Sequence, residues 1–531
     1  MTTTTADAPS ASSGSSKLAI LLAMAMFVLV VDTSLMNVSI SSVVKDLDTT
    51  ASGVQSAIAL EALVSAAFIL LSSKIGDLIG RKKAYILGLL GYAIGALSMV
   101  FAQNLTTIIV FWAILGGIGA SLLLPAMQSL IHGNFEGAAR AKAYALVGAS
   151  AAIAAAVGPV LGGFITTYLS WRVGFGLEVV IIAIVLIGVR LVKDVPYTGD
   201  RKIDVVGAIL SVVGMGGVVL GILIWQEGGD WVVATICVGL AALAGLVFWL
   251  RRRKKQGKAP LIDPDLFKFK PFAIGISEQS LQQISLGGLM IVLPLYLQMV
   301  FEYNALEAGL SLAPLSLTMF AVALLVGRVA GKTRPSRLIQ IGFGLMTIGV
   351  AVLIPIVPRA HSGWWLVIPL LIAGAGFGLM VSQLNNYTLA PITDERVSEA
   401  AGVNSAAGSF GLSFGLAFAG AIMLSVLSLT FTNMANDSKV LAPAEKEQVA
   451  TTLEHDAEIL SNTALLTLLE GQPKDVQAEI VRINTDARHY ALQIALIIPL
   501  LAGLLGFLNS FRMIRLPEPK PSAAAEAAAL G

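Results

Sequence analysis

Apolar stretches of about 20 residues recur fourteen times along the chain, separated by short polar or basic segments. They lie near 18–40, 53–75, 84–103, 107–131, 142–168, 173–193, 203–225, 232–250, 272–301, 307–330, 337–357, 364–386, 398–429 and 489–512. A helix needs about 20 mostly apolar residues to cross the hydrocarbon of a bilayer. The pattern therefore predicts an all-α membrane protein with fourteen transmembrane helices. An even number returns both termini to the same side.

Composition agrees and excludes other classes. The 531 residues are 56% hydrophobic and only 13% charged, with a mean hydropathy of +0.82. Soluble domains are about one quarter charged, so a water-soluble enzyme is excluded, and so is a chain too polar to fold. The 52 glycines suit helices that approach closely in lipid. A net charge of +2 gives no sign of nucleic-acid binding. Cys237 is the one cysteine, which leaves no disulfide within the chain and no cysteine-based metal site. His132, His361, His455 and His489 fall at or near segment ends, which argues against a histidine relay through the membrane. No cofactor and no metal is expected. Residues 1–17 lack a basic n-region and read as a disordered tail rather than a signal peptide.

Lysine and arginine mark the sides. Taking the segments in turn, 27 of the 35 fall on the side of both termini and 8 on the other. Cytoplasmic loops carry the excess of Lys and Arg, so both tails are expected in the cytoplasm and the protein in the plasma membrane. The expected parts are a tail at 1–17, a six-helix bundle at 18–193, two extra helices at 203–250, a basic linker at 251–271, a second six-helix bundle at 272–512 and a tail at 513–531. The second bundle includes a long extracytoplasmic loop at 430–488. That loop holds ten acids against five bases, and Pro443 before Ala-Glu-Lys-Glu reads as a helix start. One or two amphipathic surface helices are expected there, forming a solvated cap.

The two bundles look like parallel repeats. Shifted by 254 positions, the segment Ser73 to Lys83 falls on Gly327 to Arg337. Lys74 then meets Arg328, Gly88 meets Gly342 and Gly95 meets Gly349. Repeats of this kind place a substrate site between the bundles near mid-membrane.

Several motifs carry a family resemblance. Ser73-Lys-Ile-Gly-Asp77-Leu-Ile-Gly80-Arg81-Lys82-Lys83 resembles the signature loop of the major facilitator superfamily. In that family the loop latches one conformer, a role the resemblance gives to Asp77, Gly80, Arg81 and Lys82. Ser73 replaces the first glycine. Gly158-Pro159-Val-Leu-Gly162-Gly163 is similar to the antiporter motif, with Ala154 standing for its leading glycine. The stretch Val31-Asp32-Thr33-Ser34-Leu-Met-Asn37 resembles a motif of the fourteen-helix drug:proton antiporter branch. Lys202-Ile-Asp204-Val-Val-Gly207 and Leu295-Tyr296-Leu297-Gln298, followed by Ala305-Leu-Glu-Ala-Gly309, fit the same branch. The likeness covers about 18–512. It implies proton-coupled export of amphipathic or cationic drug-like compounds by alternating access.

The chain departs from the branch where the branch handles protons. Helix 4 usually carries an arginine, and here Ala113 stands at that place. The helix-6 stretch reads Trp171-Arg172-Val-Gly-Phe175-Gly-Leu-Glu178-Val-Val180, with Glu for the usual Asn and Val for the usual Pro. Glu61 replaces a usual tyrosine in helix 2.

Ionisable groups at membrane depth are functional candidates by default. Counting at about 1.5 Å per residue puts Asp32, Glu61 and Glu178 in the outer half of the first bundle. Glu278 falls in the inner part of helix 9, beside Gln279, Gln282, Gln283 and Ser285. Loss of water favours a neutral carboxyl, so at least one of these acids is expected to carry a proton. Two structural alternatives stand beside coupling: Asp32 bonded to Asn37 or to a helix end, and Glu178 paired with Arg172. Glu61 or Glu278 is the expected substitute for the missing arginine. The expected partners are a small-molecule substrate, protons and membrane lipids, with no nucleic acid and no second copy. The absence of G-x-x-x-x-G-K-[ST] excludes ATP drive on this chain. A lipid or secreted metabolite remains open as cargo, whereas an enzyme or channel finds no matching constellation.

Overall fold

The computed structural model describes residues 16–135, 137–194, 203–226, 229–329, 333–392, 396–442, 446 and 462–517. Most of the N-terminal tail, most of the C-terminal tail, Lys202, the Pro443 helix start and the acids Glu445, Glu447, Glu454, Asp456 and Glu458 lie outside these residues.

Among the described residues, fourteen helices are long and apolar enough to cross a membrane. They are α1 (Ser16–Leu47), α2 (Ala51–Ile79), α3 (Arg81–Phe101), α4 (Leu105–Ile131), α5 (Leu146–Tyr168), α6 (Trp171–Leu191) and α7 (Val205–Gln226). The series continues with α8 (Val232–Lys255), α9 (Lys270–Val300), α10 (Ala305–Val326), α11 (Pro335–Arg359), α12 (Gly363–Leu389), α13 (Glu399–Asp437) and α14 (Lys474–Ile514). The loop 80–83 and the linker after α8 define a basic face. The 430–488 segment defines the opposite face, here termed the cap face. Three helices that start at the cap face are capped by side-chain oxygens. Thr50 accepts from the Gly53 amide at 3.1 Å, Asn104 from Thr107 at 2.9 Å and Ser170 from Arg172 at 3.3 Å.

Packing divides the helices as the repeat predicts. Helices α1–α6 pack on one another, as do α9–α14. The aligned glycines do the same job in both halves. Gly88 and Gly95 of α3 lie against the backbone of α4, and Gly342 and Gly349 of α11 lie against that of α12. The bundles meet along α2–α13 and α5–α10, with further contact from α1 to α9 and α10, whereas α4 and α12 do not pack together. The inserted pair sits outside both bundles. Helix α7 lies over the α2–α13 seam, with Trp225 against Phe418 and Gln226 bonded to Gln55 at 3.0 Å. Helix α8 packs chiefly on α7 and presents most of its surface outward.

Between 430 and 488, where one or two amphipathic surface helices are expected, the described residues are mostly helical, largely as extensions of the spanning helices. Helix α13 runs on to Asp437, and α14 begins at Lys474, with a break near Leu496. The reason is burial. Val476, Ile480, Ile483, Ala487 and Ala491 recur at helical spacing, and all are buried where α14 meets the extended end of α13. A short helix, Asn462–Leu468, packs beside them. Helix α1 also outruns expectation: Asp32 lies midway along its 32 residues rather than in its outer half.

Candidate proton-coupling and gating sites

Five helices of the first bundle converge on Asp32. Its carboxylate is buried and accepts the phenol O–H of Tyr92 from α3. It also accepts the indole N–H of Trp112 from α4, at 3.1 and 3.2 Å. Residues Ile108–Gly116 of α4 form a π-helical stretch. Such widened turns are frequent at functional sites, and Trp112 within this one reaches α1. Glu61 of α2 and Glu178 of α6 lie within electrostatic reach of Asp32, and Tyr92 lies within reach of all three acids. Trp112 meets Phe175 edge-on, with ring centroids 6.2 Å apart, one turn before Glu178 on α6. Neither carboxylate oxygen of Glu178 has a hydrogen-bond partner among the described residues. None of the three acids forms an ion pair among the described residues. This is a dry pocket of negative groups, the arrangement in which a bound proton relieves repulsion.

Both structural alternatives raised by the sequence fail. Glu178 is not paired with Arg172. That guanidinium binds Asp46 and the Ala102 carbonyl and covers the Trp171 ring, 4.4 Å from its centroid. Arg172 stands at the cap end of α6, while Glu178 is two turns deeper. Asp32 is held by Tyr92 and Trp112 rather than by Asn37, whose buried Oδ1 has no partner among the described residues. Tyr92 and Trp112 were not singled out from the sequence. The available signal was Trp112 beside Ala113, the position that lacks arginine.

Glu278 stands apart. It is fully buried near the basic end of α9, and Asn509 and Arg512 of α14 are the polar groups facing it. The polar residues beside Glu278 divide between neighbours: Gln279 lies against Gly408 of α13, whereas Ser285 bonds the Pro499 carbonyl of α14 at 3.1 Å. Gln282 is buried with its amide nitrogen unpartnered.

In the loop between α2 and α3, Asp77 pairs with Arg81, and both are buried. Gly80 takes a φ of +101°, which a side chain rarely adopts. The Lys82 amide donates to Asp194 at 3.0 Å, and its ammonium donates to the Val192 carbonyl at 2.8 Å. These bonds fix the loop to the end of α6. The linker after α8 forms a second charged knot on the same face. Lys254 pairs with Asp263 and Asp265, and Arg396 pairs with Asp263 at 3.0 Å. Although partial burial opposes ionisation of Asp263, its bonds to Lys254 and the Asp265 amide and the charge of Arg396 hold it below the usual range. Bonds from Lys254 and Lys268 push Asp265 down to about 2.

The helix-5 glycines mark close approaches. A Cβ at Gly158 would lie 2.6 Å from Ser34, and one at Gly162 would lie 2.8 Å from Leu35, so both press α5 on α1. One at Gly163 would lie 2.4 Å from the Ala305 carbonyl of α10. In return, a Cβ on Gly309 of α10 would lie 2.1 Å from the Pro159 carbonyl. This stretch therefore serves both α1–α5 packing and the seam between the bundles.

Comparison with known proteins places this geometry in a family. The Major Facilitator Superfamily model matches residues 22–416, and the chain belongs to that superfamily of membrane transporters. It is similar to a probable actinorhodin transporter of Streptomyces coelicolor, 26% identical over 80% of this chain and 75% of that one. It is similar to the multidrug export protein EmrB of Escherichia coli, 27% identical over 78% and 80%. It also resembles the puromycin resistance protein pur8 of Streptomyces alboniger, 29% identical over 74% and 78%. Among solved structures, a bacterial homologue of the human lysosomal transporter Spinster, inward-facing and unoccupied, superposes with a TM-score of 0.60. It is 13% identical and covers 96% of this chain and 98% of that one.

Proposed function

We propose that the protein is a proton-driven exporter of amphipathic or cationic compounds, working by alternating access in the plasma membrane with its basic face and both termini in the cytoplasm. The observation that carries this reading is the buried group of Asp32, Glu61 and Glu178, gathered from three helices with Tyr92 and Trp112 and matched by no base. Protonation neutralises part of that group, and deprotonation restores a negative field that favours a lipophilic cation. Excess Lys and Arg on one face support the orientation. The Asp77–Arg81 loop is proposed as the latch on that face, and Gly158, Pro159, Gly162 and Gly163 as the helix-packing element of an antiporter. Glu61 and Glu178, close to Asp32, suit coupling better than Glu278, which is placed against α14. Asn37 and Gln282 are proposed as polar cavity groups.

The bundles are hydrogen-bonded to each other at the cap face, at Gln298 and Thr167, and α4 does not pack on α12, which supports a conformer open to the basic face. In proteoliposomes with an imposed proton gradient, cationic dyes should elicit substrate-dependent proton flux. The Asp32→Asn protein should bind dye yet show no such flux. Equal flux in both would discard the reading. A secreted metabolite is the second cargo class, favoured by the similarity to the probable actinorhodin transporter, so actinorhodin belongs in the same panel.

A further inference from the structure

The tip of α9 closes the cap face. Gln298 is buried there, and its amide grips one turn of α1. Nε2 donates to the Val38 carbonyl at 3.2 Å, and Oε1 faces the Ser41 amide at 3.4 Å. Beside it, the Leu306 amide of α10 donates to Thr167 of α5 at 3.1 Å. These bonds join the two bundles, so they break whenever the cap face opens.

The tip is weakly held by its own helix. Pro294 lies one turn before Gln298, and proline removes a helical bond and bends the chain. The last carbonyls of any helix lack helical partners. Here the Leu297 carbonyl accepts from the Tyr303 amide at 3.2 Å, while the Met299 carbonyl accepts from buried Arg488 at 2.6 Å. Arg488 belongs to the cap-face part of α14. Its positive charge meets the negative end of α9.

A second tie lies three residues further on. Glu302 adopts a left-handed φ of +55°, an unfavourable conformation for a residue with a side chain. Its carboxylate accepts from the Thr463 amide at 2.9 Å and the Thr463 hydroxyl at 2.6 Å. The helix bearing Thr463 is fastened in turn to α14. Asn462 donates to Thr485 at 3.0 Å and accepts from Asn484 at 2.8 Å.

We propose that Gln298 is the residue that closes the cap-face gate, and that the short helix Asn462–Leu468 and Arg488 of α14 act as a clamp that positions it through Thr463–Glu302 and Arg488–Met299. These residues are then a gate control rather than a solvated cover. Releasing the clamp frees the tip beyond Pro294, weakens its hold on α1 and raises the population open to the cap face. This goes beyond the proposed transport reaction and needs neither a substrate nor a proton gradient to be tested.

The test uses the full chain with Cys237→Ser in lipid nanodiscs, with spin labels at Asp48 and His361. These positions lie at the cap face of the two bundles, one on each, and pulsed dipolar spectroscopy reads their separation. The unsubstituted chain should show mainly the short distance. Gln298→Leu, Glu302→Gln and Thr463→Val should each raise the long-distance population about five-fold or more, the range of a single coupling contact. Arg488→Lys should keep the short distance where Arg488→Leu loses it. Glu302 and Thr463 are exposed, so their variants test the clamp even if Arg488→Leu does not fold. A shift in Gln298→Leu alone would overturn the clamp, and no shift in any variant would overturn the gate as well.

Discussion

A single methyl group on Gly309 tests whether the α5–α10 seam sets the balance between conformers. In the present structure that methyl would lie 2.1 Å from the Pro159 carbonyl oxygen, against about 3.4 Å for an ordinary contact. The seam must therefore part by about 1.3 Å. The nearest atoms, of Pro159 and Val160, are all helix backbone, so no side chain can swing aside. Overpacking of this kind costs about 1–3 kcal/mol. The interior of each bundle is untouched, so the cost falls on the conformer in which α5 and α10 touch at the cap end. A penalty of that size changes a conformer ratio about 5- to 150-fold. Ser41, half-buried in the α1 turn gripped by Gln298, reports the change. With Cys237→Ser and Ser41→Cys in place, Gly309→Ala should speed labelling by a membrane-impermeant maleimide added at the cap face by at least about five-fold. The control is Gly216→Ala on α7, where a Cβ meets nothing within 4 Å; it should label at the parent rate. Equal rates for Gly309→Ala and Gly216→Ala would show that the seam opens without effect on the gate and would refute the reasoning.

Other outcomes follow from the same geometry. Gly80→Ala forces a side chain into a φ of +101° and against the Asp194 carboxylate, 2.7 Å away; a loss of about 1–2 kcal/mol should appear as a lower Tm in detergent and slower transport. Asp265 titrates at about 2 in the folded chain against an ordinary 3.8, and Asp263 is also lowered. Their ion pairs therefore stabilise the fold fully above pH 4 and progressively less as pH falls toward 2. Tm measured from pH 5 to pH 3 should decline, and Asp265→Asn should flatten that decline. Trp112→Phe removes one of the two side-chain donors to the buried Asp32 carboxylate; proton-driven transport should fall at least about ten-fold, since a bond to a charged group is worth about 1.5–3 kcal/mol, while passive dye binding should persist.

Much of this molecule is written locally. The length of each apolar run, the placement of Lys and Arg and the polar caps such as Thr50 and Ser170 depend only on neighbours in sequence. The fourteen helices and the duplicated halves are therefore legible without coordinates. Gly88 and Gly342 show why the repeat could be read: close helix contact needs a small residue wherever it occurs, so equal packing leaves equal letters. The acids were legible as candidates because a carboxyl in an apolar run is costly and stands out.

Their company was not. Asp32 and Tyr92 are 60 positions apart, Asp32 and Trp112 are 80, and no periodicity links them. Arg172 looked like the natural partner of Glu178 because it is close in sequence, yet Asp46 and the Ala102 carbonyl claim it at the cap end of the helix. The separation of Glu278 from the other acids depends on which face of α9 meets α14, and the apolar pattern of so buried a helix does not fix its rotation. The ties of Arg488 and Thr463 to the end of α9 are likewise tertiary. Sequence decides what each stretch can bury in lipid, whereas only the packed bundles decide which buried polar groups meet, because those meetings depend on helix rotation and crossing that no single segment encodes.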